Sequence, residues 1–253
     1  MCLAVIALDA HPRYALVVAA NRDEYHARPA AAAAWWDATL LAGRDLAAGG
    51  TWLGMTRAGR FALLTNVREP HRIDRSAPSR GALVPAVLMD PSPVPGALAT
   101  ARERGARHNG FNLIAGSTHA AAWTSNRAGH VVELAPGVHG LSNALLDAPW
   151  PKVVRTEAAV SAWLAAERDD PEPLFDALAE RAMAPDAALP STGVTLEWER
   201  LLSAPFIVSA DYGTRSSTVV TIDRAGHVSF IERSFDSSGR RCGEVVRRFD
   251  VAG

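Results

Sequence analysis

The sequence predicts an α+β fold in which antiparallel sheets stack on one another and helices cover them from outside. Strand-like and helix-like stretches come in separate blocks (strands, helices, strands, helices, strands) rather than in strict alternation. Three five-residue segments, Thr56-Arg57-Ala58-Gly59-Arg60, Asn126-Arg127-Ala128-Gly129-His130 and Asp223-Arg224-Ala225-Gly226-His227, each separate two apolar runs. Glycine in the fourth place suits the left-handed position of a type I turn plus bulge, so each reads as a β-hairpin. The first segment, Cys2–Leu8, is apolar at nearly every position, as expected of a strand covered on both faces.

Taken in order, Cys2–Leu8 is followed by the turn cluster Asp9-Ala10-His11-Pro12-Arg13 and by a second apolar strand at Ala15–Ala20. A hairpin centred near His11–Pro12 sets residue 2 opposite roughly residues 21–22, beside Asn21-Arg22-Asp23-Glu24. The three later hairpins pair Trp52–Thr56 with Phe61–Asn66, Ala120–Ser125 with Val131–Leu134, and Thr218–Asp223 with Val228–Arg233, and Phe111–Gly116 adds a strand. Helices are expected at Gly81–Met89, Pro95–Gly105, Trp150–Arg168, Pro171–Ala182 and Leu196–Ser203. In the longest, Pro151 suits the first turn, and Val153, Val154, Ala158, Val160 and Trp163 form the apolar face. Prolines mark loops, but none makes a linker long enough to divide the chain, so one domain over 1–253 is expected. Ala30–Asp37 and Pro70–Ser79 read as loops that shape a pocket.

With 253 residues, 48% apolar and 21% charged, the chain can bury a full core. A net charge of −1 argues against a nucleic-acid footprint or a basic membrane-facing surface. Cys2 and Cys242 are the only cysteines, which excludes a disulfide framework and a cysteine zinc site. The apolar run Leu3–Leu8 lacks a basic flank and is broken by Asp9, so neither a signal peptide nor a membrane span is expected. A cytoplasmic setting is the default. Lys152 is the only lysine, arginine and alanine abound, and a GC-rich bacterial source is the expectation.

The candidate chemistry centres on Cys2, directly behind Met1. Removal of Met1 would leave a thiol (pKa about 8.5) beside its own α-amine (about 7.7–8.0), so one residue supplies nucleophile and general base. In the Asn21–Glu24 run, Arg22 would favour the thiolate, and either Asp23 or Glu24 could orient the amine. Acyl transfer also needs donors for a tetrahedral oxyanion. Asn66 and Asn143 sit where strands run out into polar loops, and Arg215 lies in Asp211–Thr218 just before a strand. Each of these residues is commonly a loop cap or surface charge; predicted convergence on Cys2 makes them candidates.

A set of motifs extends this in order along the chain. It comprises Met1-Cys2, Asn21-Arg22-Asp23-Glu24 with Arg28-Pro29, Gly49-Gly50-Thr51-Trp52-Leu53-Gly54, Thr65-Asn66, Gly110-Phe111-Asn112-Leu113, Gly140-Leu141-Ser142-Asn143 with Pro149-Trp150-Pro151-Lys152, and Tyr212-Gly213-Thr214-Arg215. The set resembles the NRDE family, also called the transport and Golgi organisation 2 family, over nearly the whole chain. That resemblance implies an N-terminal nucleophile (Ntn) hydrolase fold, a four-layer αββα sandwich of two stacked antiparallel sheets. Relatives in mechanism are cysteine-type members such as bile-salt hydrolases, penicillin V acylases and isopenicillin acyltransferases. By resemblance Cys2 matches their nucleophile, Arg22 the first arginine, Asn66 and Asn143 the two asparagines, and Arg215 the late arginine. Those relatives set the carboxylate three residues after the arginine, whereas here Asp23 and Glu24 follow directly.

The implied activity is hydrolysis or acyl transfer on a linear amide or thioester through an acyl-Cys2 intermediate, with no cofactor required. The alternative is a non-catalytic carrier on the same scaffold, since the family's eukaryotic members are linked to haem mobilisation and to lipid and acyl-CoA homeostasis. For haem, His26 beside the Asn21–Glu24 loop is the best-placed ligand, and no Cys-x-x-Cys-His motif is present. The expected partner is thus a small amide, thioester or haem ligand, not a nucleic acid. A purely structural protein is the third reading, disfavoured by the polar groups around Cys2.

Overall fold

The computed structural model describes residues 2–118, 120–167 and 169–252. Met1 and Arg168, the expected end of the longest helix, lie outside the described residues. The first half of the chain forms β1 (Cys2–Leu8), β2 (Tyr14–Tyr25), β3 (Ala30–Trp35), β4 (Leu40–Asp45), β5 (Leu53–Thr56), β6 (Phe61–Asn66), α1 (Leu83–Leu88) and α2 (Val94–Arg104). It continues through β7 (Phe111–Gly116), β8 (Ala121–Ser125), β9 (Val131–Glu133), β10 (Gly137–Leu141), α3 (Pro151–Ala165), α4 (Glu172–Leu178) and α5 (Leu196–Leu202). The chain closes with β11 (Tyr212–Asp223), β12 (His227–Phe235) and β13 (Arg241–Asp250).

Two antiparallel sheets result, one in the order β10-β1-β2-β11-β12-β13 and the other running β3 to β9 in sequence. Strand alternation sorts their side chains into three packed layers. Ala4, Ile6, Leu8, Leu16 and Val18 of the first sheet meet Leu41, Met55, Phe61, Leu63 and Ile114 of the second between the sheets. On the first sheet's outer face, Val5, Ala7, Val17 and Val219 pack on Val160 and Trp163 of α3 and on Leu174, Phe175 and Leu178 of α4. On the second sheet's outer face, Ala62, Leu64 and Leu113 pack on Leu83, Val87 and Leu98 of α1 and α2. The molecule is the four-layer αββα sandwich, and β1 is apolar throughout because both its faces are buried.

The expected hairpins form, with Gly59 and Gly226 at φ +77° and +90°. Gly129 does not take the left-handed conformation, and its hairpin closes without it. Two other expectations are corrected. Of Ala30–Asp37, read as a loop that shapes a pocket, Ala30–Trp35 is edge strand β3, hydrogen-bonded to β4, and its Ala30, Ala31 and Ala32 line a cavity. Val154 is 47% exposed; the buried stripe of α3 instead runs through Lys152, Val153, Thr156, Val160 and Trp163.

Candidate active site

The β1–β2 register sets Cys2 directly across from Arg22, within the span that hairpin arithmetic gave. Paired residues of an antiparallel ladder project to the same face, here the one between the sheets. Cys2 and Arg22 are 7% and 9% exposed. Asp23 projects to the helix-covered face, where its Oδ1 accepts a hydrogen bond from Thr214 Oγ1 of β11 (2.7 Å) and its Oδ2 lies 3.9 Å from Lys152 Nζ of α3. Its backbone N–H meanwhile donates to the Cys2 sulfur. Glu24 lies outside this buried group, 3.8 Å from Arg22 and 4.0 Å from Arg28. The two candidate carboxylates therefore occupy different settings: Asp23 is buried beside Cys2, and Glu24 sits among arginines nearer solvent.

Burial dominates the electrostatics. It pushes the Cys2 thiol up from its ordinary value, and the Asp23 charge adds to this, while the terminal ammonium and then Arg22 and the Asp23 N–H pull it back. Burial likewise raises the Asp23 carboxyl, opposed first by Lys152.

Cys2 opens onto a cleft of about 490 Å³ whose walls include Arg22, Asp23, Glu24, Trp52, Asn66 and Arg80. Arg80 escaped the sequence reading. It follows Pro70–Ser79, the segment expected to shape a pocket, and it is held by a hydrogen bond to the Gly110 carbonyl (3.0 Å). Burial lowers its pKa, and the attraction of Cys2 leads the opposing effects. A second chamber of about 350 Å³ shares Glu24, Tyr25, Asn66, Ile73, Arg80 and Asn109 with the cleft and is otherwise largely apolar. Its aromatic wall is Tyr25, Trp198 and Tyr212, with ring centroids 5.1 Å (Tyr25–Tyr212) and 5.7 Å (Trp198–Tyr212) apart in edge-to-face contact.

Asn143 and Arg215 lie outside the walls of the Cys2 cleft. The Asn143 Nδ2 donates to the Asn66 carbonyl (2.8 Å), so this side chain braces the backbone of the cleft asparagine. Its neighbour Ser142 donates to the Cys2 carbonyl (2.9 Å), tying the end of β10 to the start of β1. Arg215 is not in a loop before a strand but inside β11, at a register shift between Thr214 and Ser216. Its Nη1 donates to the carbonyls of Tyr25 (3.2 Å) and His26 (3.2 Å), fastening the turn after β2. It lines a separate cavity of about 180 Å³, which Arg22 also borders. His26 engages the Ser209 carbonyl through Nε2 (3.1 Å), which anchors a loop, and it does not line the Cys2 cleft. Among the described residues no group of three or more His, Cys, Asp and Glu could hold a metal ion.

Lys152 is the larger omission. It is 1% exposed, and its Nζ makes no hydrogen bond among the described residues. It also sits in the first turn of α3, where the helix dipole is positive and disfavours a cation. Burial lowers its pKa from 10.5 to about 8, opposed by Asp23. The available signal was the chain's single lysine interrupting the buried face of its longest helix.

The model of the family described as Transport and Golgi organisation 2 matches residues 1–237. The chain is 37% identical to the Transport and Golgi organization protein 2 homolog of Bos taurus over 262 residues, covering 92% of this chain and 93% of that protein. It is 35% identical to the Homo sapiens homolog over 263 residues, with the same coverage. Among solved structures, a mutant conjugated bile acid hydrolase from Clostridium perfringens superposes with a TM-score of 0.53 at 9% identity, covering 99% of this chain and 92% of that one. At that identity the likeness shows a shared Ntn-hydrolase fold.

Proposed function

The chain belongs to the Transport and Golgi organisation 2 family, and from that premise we propose that it is a cysteine Ntn hydrolase or acyltransferase acting on a linear amide or thioester once Met1 is removed. The observation that carries this reading is Cys2 at the start of β1, paired with Arg22 and opening on a cleft that also contains Asn66. The Cys2 α-amine takes the thiol proton, and the sulfur attacks the substrate carbonyl carbon. Asn66 donates to the resulting oxyanion, with its backbone held by Asn143. Collapse breaks the C–N or C–S bond, and the α-ammonium returns the proton to the leaving amine or thiol. Water, or an acceptor amine or thiol, then attacks the acyl-Cys2 thioester and restores the free thiol. In this scheme Asp23 takes the amine-orienting role, because it lies against Cys2 whereas Glu24 is paired with arginines. Arg215 shapes the turn that carries Tyr25 and His26 rather than meeting substrate.

The test is a panel of linear amides and acyl thioesters given to the wild-type protein and to Cys2→Ala. Cleavage by the first and not the second is expected; equal cleavage by both, or by neither, overturns the reading. The apolar second chamber supports one other reading, a carrier that holds an acyl or haem group without turnover. Saturable binding of such a group by Cys2→Ala, with no cleavage by wild type, would favour it.

A further inference from the structure

Lys152 has no part in the acyl-transfer scheme, yet its position is costly in three ways. It is an ammonium in the interior, it lies at the positive end of α3, and it faces a single carboxylate at 3.9 Å, beyond hydrogen-bond length. A buried ion pair of this length is weak evidence for stability, because desolvation offsets the attraction. What distinguishes this pair is its other neighbour. Asp23 presents its carboxylate to Lys152 and its backbone N–H to the Cys2 sulfur, so one residue joins the two titrating groups.

We infer that Lys152 is a positioning residue that compensates the Asp23 carboxylate, so that the adjacent Cys2 thiol can ionise. The sign follows from the charges. An ionised Asp23 disfavours thiolate on Cys2, whereas Arg22 on the opposite strand favours it. Lys152 cancels the first influence while leaving the second. The other charged or titratable groups acting on this cluster are Arg68, which repels Lys152, Arg80, which attracts a Cys2 thiolate, Glu24, and Tyr212, whose buried hydroxyl stays protonated; the terminal α-ammonium favours both the thiolate and the Asp23 carboxylate. When Lys152 loses its proton near pH 8, the pair acquires a net negative charge and thiolate formation becomes harder. Protonated Lys152 thus sets the upper end of the pH range in which Asp23 can orient an amine without suppressing the nucleophile.

The inference rests on the reading of Cys2 as nucleophile, but its test requires no substrate. Iodoacetamide alkylation rates of Cys2 and Cys242 are followed by peptide mass spectrometry from pH 6 to 10, and the exposed Cys242 serves as internal reference. Lys152→Met is expected to raise the apparent pKa of Cys2 by about one unit, roughly a tenfold slower reaction at pH 7, with Cys242 unchanged. Lys152→Arg, which keeps its charge at every pH, is expected to match wild type below pH 8 and to react faster than wild type at pH 9. In an Asp23→Asn background the charge that Lys152 compensates is gone, so Lys152→Met is expected to add no further shift. If Lys152→Met does not fold, the Lys152→Arg arm alone decides. A Cys2 profile unchanged by both substitutions, or a Lys152→Met shift of equal size in the Asp23→Asn background, overturns the inference. Failure of all substrates to be cleaved would leave these outcomes intact, so the two readings fail separately.

Discussion

At the turn end of the β1–β2 hairpin, Arg224 reaches Asp9 at 2.9 Å, and these side chains are 49% and 35% exposed. At the open end of the same hairpin, Asp23 and Lys152 face each other at 3.9 Å with side chains 0% and 1% exposed. Water screens the first pair, which costs little to form and contributes little. The second is desolvated, is too long for a good hydrogen bond, and involves the chain's single lysine. A strand pair needing only stability could end in apolar residues there, as it does over Val17 and Val18. Charge at the turn end shapes a surface, whereas charge at the open end surrounds a thiol.

Substitutions that interrogate the two ends should differ accordingly. Asp23→Leu leaves Lys152 buried without its carboxylate and should cost about 3–5 kcal/mol of stability, read as a lowered midpoint of urea unfolding. A loss below about 1 kcal/mol would mean that the buried pair behaves like the exposed one. Asn66→Ala should lower kcat by about 100–1000-fold with little change in stability, as expected for an oxyanion donor, measured on any substrate found by the panel. An effect confined to KM would reassign Asn66 to substrate binding.

The pH dependence of stability should also separate the ends. Because the folded-state pKa of Lys152 is depressed to about 8 from 10.5, the unfolded chain holds a proton between those values that the folded chain has released. Stability should therefore rise with pH across that window, by about 3 kcal/mol at most, relative to Lys152→Met, which lacks the group. Below pH 8 the penalty is fully present. Urea titrations of both proteins at pH 7.5 and 10 check this; equal differences at the two pH values would contradict it. The smallest effect belongs to the turn end, where Arg224→Ala should cost about 1 kcal/mol or less and leave Cys2 alkylation unchanged.

The contrast between the ends also marks what the sequence could reveal. The Asp9–Arg13 turn and two apolar runs sufficed to place Cys2 opposite residues 21–22, of which the register selects Arg22, because hairpin register is local. Family motifs supplied Asn66, which lies in the cleft, and Asn143, which supports it through a backbone carbonyl. Lys152 was visible as a residue but not as a neighbour, since its contact with Asp23 spans α3 and β2 and no local pattern encodes it. Arg80 was hidden for the same reason, one residue beyond the Pro70–Ser79 loop that shapes the cleft. Three strands, β3, β4 and β13, go unread in the sequence and β10 shows only as the strand end before Asn143; β3, β10 and β13 are sheet edges. The alanine run of β3 carries no β-branched signal, and β13 is largely exposed and charged, as befits an edge that resists further pairing. The polar Gly-Thr-Arg-Ser context of Arg215 reads as loop, although the ladder continues through it with a bulge.

The central claim is that Cys2 is an N-terminal nucleophile, and intact-protein mass spectrometry after brief exposure to an acyl thioester tests it most directly. The account predicts a mature chain lighter by one methionine, carrying one acyl group that maps to Cys2 and is absent from Cys2→Ala. Full retention of Met1 with no acyl adduct on Cys2 would contradict it.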